Sequence, residues 1–135
     1  MDINEIIHPG MTLEKNIVVK KKHLAIHLGS GSLGVLATPV MIAFMESLSH
    51  QLLAQSLPEG YSSVGAHVDV HHLAPTPLGR TVRVKTEVME VNGIHVLFNV
   101  QAWDEVEQIG NGLHERVVID YNRFMRRVAA KSAAD

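Results

Sequence analysis

Glu46 is the only Asp, Glu, Lys or Arg between Lys22 and Glu59. A carboxylate among apolar side chains holds its proton more tightly, which suits a general acid or base. The plainer alternative is an exposed glutamate early in a helix, where negative charge suits the dipole. A second concentration of chemistry lies in Ser63-Val64-Gly65-Ala66-His67-Val68-Asp69-Val70-His71-His72. If this is a strand, Ala66, Val68, Val70 and His72 point one way, and His67, Asp69 and His71 the other. The first set is apolar, so His72 is expected to face the core, as a packed histidine or a proton carrier. The outward pair belongs to solvent or to an oligomer contact.

A metal reading fails on spacing. His67 and His71 stand about 13 Å apart along one strand face, and metal bonds are near 2 Å. A metal would need further ligands from His95 or His114, and no metal site is expected. Other residues have two readings each. Thr38 is a helix cap or a reactive hydroxyl. Gly65 is a bulge or a place where a ligand approaches the backbone. His114 and Arg116 leave their strand on one face, and Arg116 is a surface charge or a guanidinium for a carboxylate or phosphate.

The elements that must position these residues follow from periodicity. Thr38-Pro39 reads as a helix start, with threonine at N-cap and proline at N1. From Val40 to about Leu57, Met41, Met45, Leu48 and Leu52 recur at helical spacing until Pro58-Glu59-Gly60. Beyond it the pattern alternates. Val82, Val84 and Val88 share a face; Asn92-Gly93 is expected to be a two-residue hairpin turn; Ile94, Val96, Phe98 and Val100 share the next face. Leu113, Glu115, Val117 and Ile119 share one on a last strand, and a shorter strand is expected around Leu13 to Lys20. A helix apolar over more than half its circumference needs cover on most sides. A curved antiparallel sheet wrapped around a long central helix, the α+β hot-dog architecture, supplies it.

The chain has 135 residues, a formal charge of −2 and no cysteine. That length suits one domain, expected over residues 1–128 with a fraying tail at 129–135. A 46% hydrophobic and 19% charged composition excludes disorder. The near-neutral balance gives no footprint for nucleic acid or an anionic membrane. Without cysteine there is no disulfide, thiol nucleophile or cysteine zinc site. The N-terminus lacks the basic flank and apolar run of a secretory signal, and no stretch supplies the roughly 20 apolar residues of a membrane span. A cytoplasmic protein is expected.

Together, Val35-Leu36-Ala37-Thr38-Pro39, Glu46, Ser63-Val64-Gly65, His72-Leu73-Ala74-Pro75-Thr76-Pro77-Leu78-Gly79 and Ile109-Gly110-Asn111-Gly112-Leu113-His114-Glu115-Arg116 resemble the fluoroacetyl-CoA thioesterase family of hot-dog proteins. The resemblance spans roughly residues 10 to 120. It implies a homodimer, or a higher oligomer, that hydrolyses acyl-CoA thioesters without a metal, near the dimer interface. Coenzyme A enters only as part of the substrate. It also implies catalytic roles for Thr38, Glu46 and His72, and substrate contacts for Gly65 and Arg116. One departure stands out: the fluoroacetyl-CoA enzyme carries phenylalanines before the threonine. This chain has His27-Leu28-Gly29-Ser30-Gly31-Ser32, without an aromatic. A short acyl group other than fluoroacetyl is therefore expected.

The geometry poses a difficulty. Eight helical residues separate Thr38 from Glu46 by about 12 Å, too far for a hydrogen bond if Thr38 caps the helix. Either the helix starts later, or the two groups act on different parts of the substrate, or two subunits contribute different members. Two competing functions remain: a hot-dog hydratase or dehydratase, whose Asp-x-Asn-Pro-x-His segment is missing, and a non-catalytic acyl-CoA sensor. An oligomerising scaffold using the outer strand face is a third.

Overall fold

The computed structural model describes residues 1–135. Its centre is helix α2, Thr38–Ala54, which buries Met41, Met45, Leu48, Ser49, Leu52 and Leu53. Those residues recur at three and four positions, so one stripe faces the sheet. The helix begins earlier than periodicity suggests. Ala37, in extended conformation, is the N-cap, Pro39 lies in the first turn, and no side chain caps the helix. Thr38 is therefore not the cap, and its hydroxyl is free for other work. At the far end the Leu57 N–H reaches the Leu53 carbonyl, and Pro58 ends the run.

Five antiparallel strands form one sheet in the order β1-β3-β4-β5-β2. They are β1 (Thr12–Val18), β2 (Tyr61–His72), β3 (Thr81–Asn92), β4 (His95–Trp103) and β5 (Gln108–Asp120). Val82, Val84 and Val88 of β3 and Val96, Phe98 and Val100 of β4 are fully buried beneath α2. One polar link crosses that core: the Ser49 hydroxyl donates to the Met45 carbonyl and meets Thr86 Oγ1 at 2.8 Å. The β3–β4 turn falls one residue later than expected. Asn92 pairs with His95, leaving Gly93 and Ile94 as the loop. Only Gly93 has positive φ, at 62°, the position a type II′ turn reserves for glycine. Ile94 is consequently exposed in the turn and does not share the buried face.

The last strand inverts its apolar pattern. His114, Arg116 and Val118 face the helix and are buried, whereas Leu113 is exposed on the other face. Two of the three inward side chains are polar because each finds partners inside the protein. On β2 the register shifts between Gly65 and His67, so Ala66 sits in a bulge. Val68 lies opposite His114, which puts Val68, Val70 and His72 on the helix side, and His67, Asp69 and His71 outside.

Helix α1 (Ala25–Leu28) interrupts the segment between β1 and α2. Helix α3 (Tyr121–Ser132) follows β5, its N-terminus capped by the Asp120 carboxylate. Residues 129–132 are thus helical, and only 133–135 lie beyond the helix. No helix is long and apolar enough to cross a membrane.

Candidate active site

Helix α2 runs antiparallel to β2, so three residue pairs line up along them. Thr38 meets His72, Glu46 meets Gly65, and His50 meets Ser63. The first pair places a hydroxyl beside an imidazole. Thr38 Oγ1 lies 2.7 Å from Nδ1 of His72, within the range that lets an imidazole accept a hydroxyl proton. Nε2 of His72 is buried and has no hydrogen-bond partner. Burial pushes the His72 pKa below the ordinary 6.5, outweighing the neighbouring Ala74 backbone, which raises it. The ring is then neutral at neutral pH and able to take a proton. A cleft of about 310 Å³ opens here, lined by Ala25, Ser30, Val35, Thr38, His72 and Pro75 among others.

The second cluster is built around a buried arginine. Arg116 is 6% exposed and takes part in none of the ion pairs of the molecule. Its Nε donates to Ser63 Oγ at 2.9 Å, its Nη2 to the Ser63 carbonyl at 3.1 Å, and its Nη1 to His114 Nε2 at 3.2 Å. Guanidinium carries five N–H groups, so two remain uncommitted. His114 Nδ1 sits 2.9 Å from the His67 carbonyl, which can only accept. The network therefore assigns His114 as neutral, with its proton on Nδ1 and Nε2 accepting from Arg116. Burial is the main cause holding the His114 pKa down; the His67 carbonyl and Glu46 oppose it, while Arg116 adds to it. His50, whose Nδ1 lies 3.3 Å from Ser63 Oγ, is lowered by burial and by Arg116.

Gly65 sits inside this cluster. A Cβ placed there would stand 3.1 Å from Glu46 Oε2, 3.5 Å from His114 Cε1 and 3.6 Å from Arg116 Nη1. The Glu46 carboxylate therefore packs directly over the glycine backbone. Of the five residues singled out from sequence, four fall into these two clusters as pairs, and Arg116 joins Glu46 and Gly65. Thr38 and Glu46 remain about 12 Å apart along α2, since both lie on the same continuous helix. Sequence reasoning missed Ser63 and His50 and undervalued His114. The available signal was the alternation of His114, Arg116 and Val118 on one strand face. No group of three or more histidine, aspartate or glutamate side chains is placed to hold a metal ion.

A family model described as fluoroacetyl-CoA-specific thioesterase matches residues 19–122. The chain belongs to that family. The fluoroacetyl-CoA thioesterase of Streptantibioticus cattleyicolor is 39% identical over 100 residues, covering 74% of this chain and 72% of that one. A solved structure of a fluoroacetyl-CoA thioesterase matches with a TM-score of 0.87 at 33% identity, covering 93% of this chain and 97% of the other. A hot-dog-like protein from Thermanaerovibrio acidaminovorans matches with a TM-score of 0.90 at 30% identity over 97% of each chain. The fold is thus the hot-dog, and thioester hydrolysis is the activity class of this family member.

Its departure from the fluoroacetyl-CoA enzyme lies over the threonine. The 25–34 segment folds as α1 and a turn at Gly29, whose φ is 76°. Ile26, Leu28 and Leu33 are exposed there, at 59%, 49% and 67%. One solved fluoroacetyl-CoA thioesterase is a phenylalanine-to-alanine variant holding fluoroacetate and CoA. In this chain, aliphatic side chains stand in the segment beside the Thr38–His72 cleft.

Proposed function

We propose that this thioesterase hydrolyses short-chain acyl-CoA thioesters in the cytoplasm, as a homodimer in which two copies complete each site. The observation that carries the chemistry is the 2.7 Å contact between Thr38 and a His72 whose other nitrogen is unpartnered. Thr38 Oγ attacks the thioester carbonyl carbon while its proton passes to His72. The tetrahedral intermediate collapses, the C–S bond breaks, and His72 returns the proton to the departing CoA sulfur. Water then attacks the acyl-threonine carbonyl while His72 accepts its proton; the acyl–Oγ bond breaks, His72 returns the proton to Thr38 Oγ, and the acid is released. No step requires a metal.

Symmetry and reach support the shared-site reading. Strand β2 lies at the sheet edge, and a long free edge invites pairing with another strand. His72 and Gly65 flank Val68 and Asp69 almost evenly in sequence. Antiparallel pairing of two β2 strands about that point sets the His72 of one copy across from the Gly65 of the other. The same two-fold carries Glu46 and Arg116 of the second copy toward Thr38 and His72 of the first. Glu46 then orients His72 or activates water, and the two free N–H groups of Arg116 are donors for the developing oxyanion.

The test is thiol release from a panel of acetyl-, propionyl- and butyryl-CoA by purified protein, before and after exhaustive chelation. Turnover of at least one short acyl-CoA, undiminished by chelator, is expected. Ligand-induced stabilisation without any thiol release would instead favour a binding protein.

A further inference from the structure

The outer face of β2 carries His67, Asp69 and His71, which the chemistry on the helix side leaves unused. All three are exposed. None of their side chains belongs to an ion pair, and the contact between His67 and His114 uses the His67 carbonyl. Along one strand the two histidines stand about 13 Å apart, so a single chain cannot close them on one ion. Within one chain no three histidine, aspartate or glutamate side chains are placed to hold a metal. A second copy changes that.

Strand β2 is the sheet edge that two copies share in the arrangement proposed above. A two-fold axis normal to the sheet keeps every side chain on its own face, so outward residues meet outward residues. The bulge sets the count, because Ala66 is the extra residue between Gly65 and His67. With His72 across from the partner's Gly65, His71 stands opposite the partner's His67, and Val70 opposite the partner's Val68. Asp69 then lies at the axis, facing the partner's Asp69. Directly opposed residues have Cβ atoms about 4.5–5.5 Å apart, close enough for two imidazoles to converge on one ion at about 2.0–2.1 Å. Sliding the pairing by two residues either way sets a histidine opposite an aspartate, so ligand still meets ligand. Like charges directly opposite one another destabilise a sheet, and a cation between the carboxylates and the flanking imidazoles turns that repulsion into ligation. On β5, Glu115 lies opposite His67 and Asn111 opposite His71. Polar groups thus flank each ring, where a ligating histidine's second nitrogen needs a partner.

We propose that two copies of this chain bind zinc at two symmetry-related sites on the outer face of the sheet, each made of His67, the partner's His71 and an Asp69 carboxylate. Imidazole and carboxylate donors without thiolate suit zinc among the first-row divalent ions, and a tetrahedral zinc takes these three ligands with water as the fourth. The site rests on the two-copy reading above and adds a clamp at its seam. It lies across the sheet from His72, which faces the helix, so it holds the dimer and takes no part in hydrolysis. Chelation loosens the seam, while the paired β2 strands and the reacting groups stay in place.

The experiment adds zinc chloride to the metal-stripped full chain. Calorimetry should show one zinc bound per chain, and sedimentation a lower dimer dissociation constant with zinc than without. His67→Gln, Asp69→Asn and His71→Gln should each weaken zinc binding by more than the roughly 10- to 100-fold that losing an outer-shell partner costs. His8→Gln, at an exposed histidine elsewhere, should leave it unchanged, and kcat for thiol release should be the same with and without zinc. Mixing His67→Gln with His71→Gln protein under subunit exchange should return about a quarter of the tight sites, since half of the dimers are mixed and each rebuilds one site of two. No recovery in that mixture overturns the proposal, as does zinc binding that survives all three substitutions. A metal-stripped dimer that binds no zinc also overturns it, and leaves the shared thioesterase site standing. A protein that stays monomeric with and without zinc removes the two-copy reading and the zinc site together.

Discussion

Thr38 Oγ1 and His72 Nδ1 are 2.7 Å apart, so the first hydroxyl of α2 is committed to an imidazole and not to the helix's own N–H groups. A threonine at a helix start normally stabilises the helix by capping it. Here extended Ala37 takes the cap position without a side-chain bond. The helix forgoes that stabilisation, and a hydroxyl is aimed at a base.

Thr38→Ala should therefore remove activity while barely altering stability. The expected loss of folding free energy is well below the roughly 1 kcal/mol of a lost N-cap. Thr38→Ser should keep much of the turnover, and His72→Ala should lower kcat by about two to four orders of magnitude. Steady-state kinetics beside denaturant melts check all three. A large stability loss in Thr38→Ala, with activity intact, would return the residue to a structural role.

Periodicity reaches some of these residues and not others, for physical reasons. Parity turned His72 inward correctly because the β2 bulge at Ala66 lies before Val68 and leaves the later alternation intact. The same alternation put His114 and Arg116 of β5 on one face but could not say that this face points inward. His114 and Arg116 are inside because Ser63 and the His67 carbonyl satisfy them, and those partners come from another strand. Such a network depends on the β2–β5 register, which no local pattern encodes. The cap at Thr38 was misread for a related reason: a hydroxyl at a helix start has two possible partners, and the winning one is 34 residues away in sequence.

Gly65→Ala tests the crowding around the carboxylate. The new methyl would sit 3.1 Å from Glu46 Oε2, tighter than side chains usually tolerate, so the carboxylate must move. Position 65 is exposed and its φ is not positive, so the backbone accepts alanine without strain. The expected outcome is a near-native melting temperature with a reduced kcat. Unchanged kinetics would show that the Glu46 position over the glycine is not needed.

The buried and half-buried histidines give stability a definite pH slope. His23, His50, His72 and His114 all have folded-state pKa values held below 6.5, each mainly by burial. Below 6.5 the unfolded chain takes up protons that the native state refuses, so stability falls as pH drops from 6.5 toward the folded values. Above 6.5 neither state is protonated and this contribution is flat. His114→Gln removes one of the four groups and should make the acid loss shallower. It should also raise KM, because protonating or deleting the Nε2 acceptor releases Arg116. Melts between pH 4.5 and pH 8, a window centred near the imidazole pKa of about 6.5, would read the slope directly.

The two-copy site makes a prediction that no single-chain site can meet. Thr38→Ala and Glu46→Ala proteins, each inactive alone, are mixed under conditions that exchange subunits. In a shared site, the mixed dimer joins an intact Thr38 from one copy to an intact Glu46 from the other. Half of the dimers are mixed, and each restores one site of two, so activity should return to about a quarter of wild type. If both groups act within their own chain, every site in the mixture carries a lesion and no activity returns. The roughly 12 Å between the two residues on one rigid helix is the reason to expect recovery.

Selectivity is the remaining question, and the 25–34 segment, read as a flap over the acyl group, is expected to decide it. Ile26, Leu28 and Leu33 are exposed beside the cleft that Ser30 and Ala25 share with Thr38 and His72. Aliphatic groups closing over a short acyl chain reward added methylenes by roughly 1 kcal/mol each, but they present no aromatic ring edge to a C–F bond. The protein should therefore prefer propionyl- or butyryl-CoA to acetyl-CoA and show little discrimination between acetyl- and fluoroacetyl-CoA beyond the latter's intrinsic reactivity. Competition kinetics would measure the kcat/KM ratios. A fluoroacetyl preference far above the ratio for base hydrolysis of the free thioesters would mean that fluorine is read without a phenylalanine. Replacing Leu28 or Leu33 by phenylalanine should then leave that preference where it stands; a rise on either substitution would instead locate the missing selectivity in the flap.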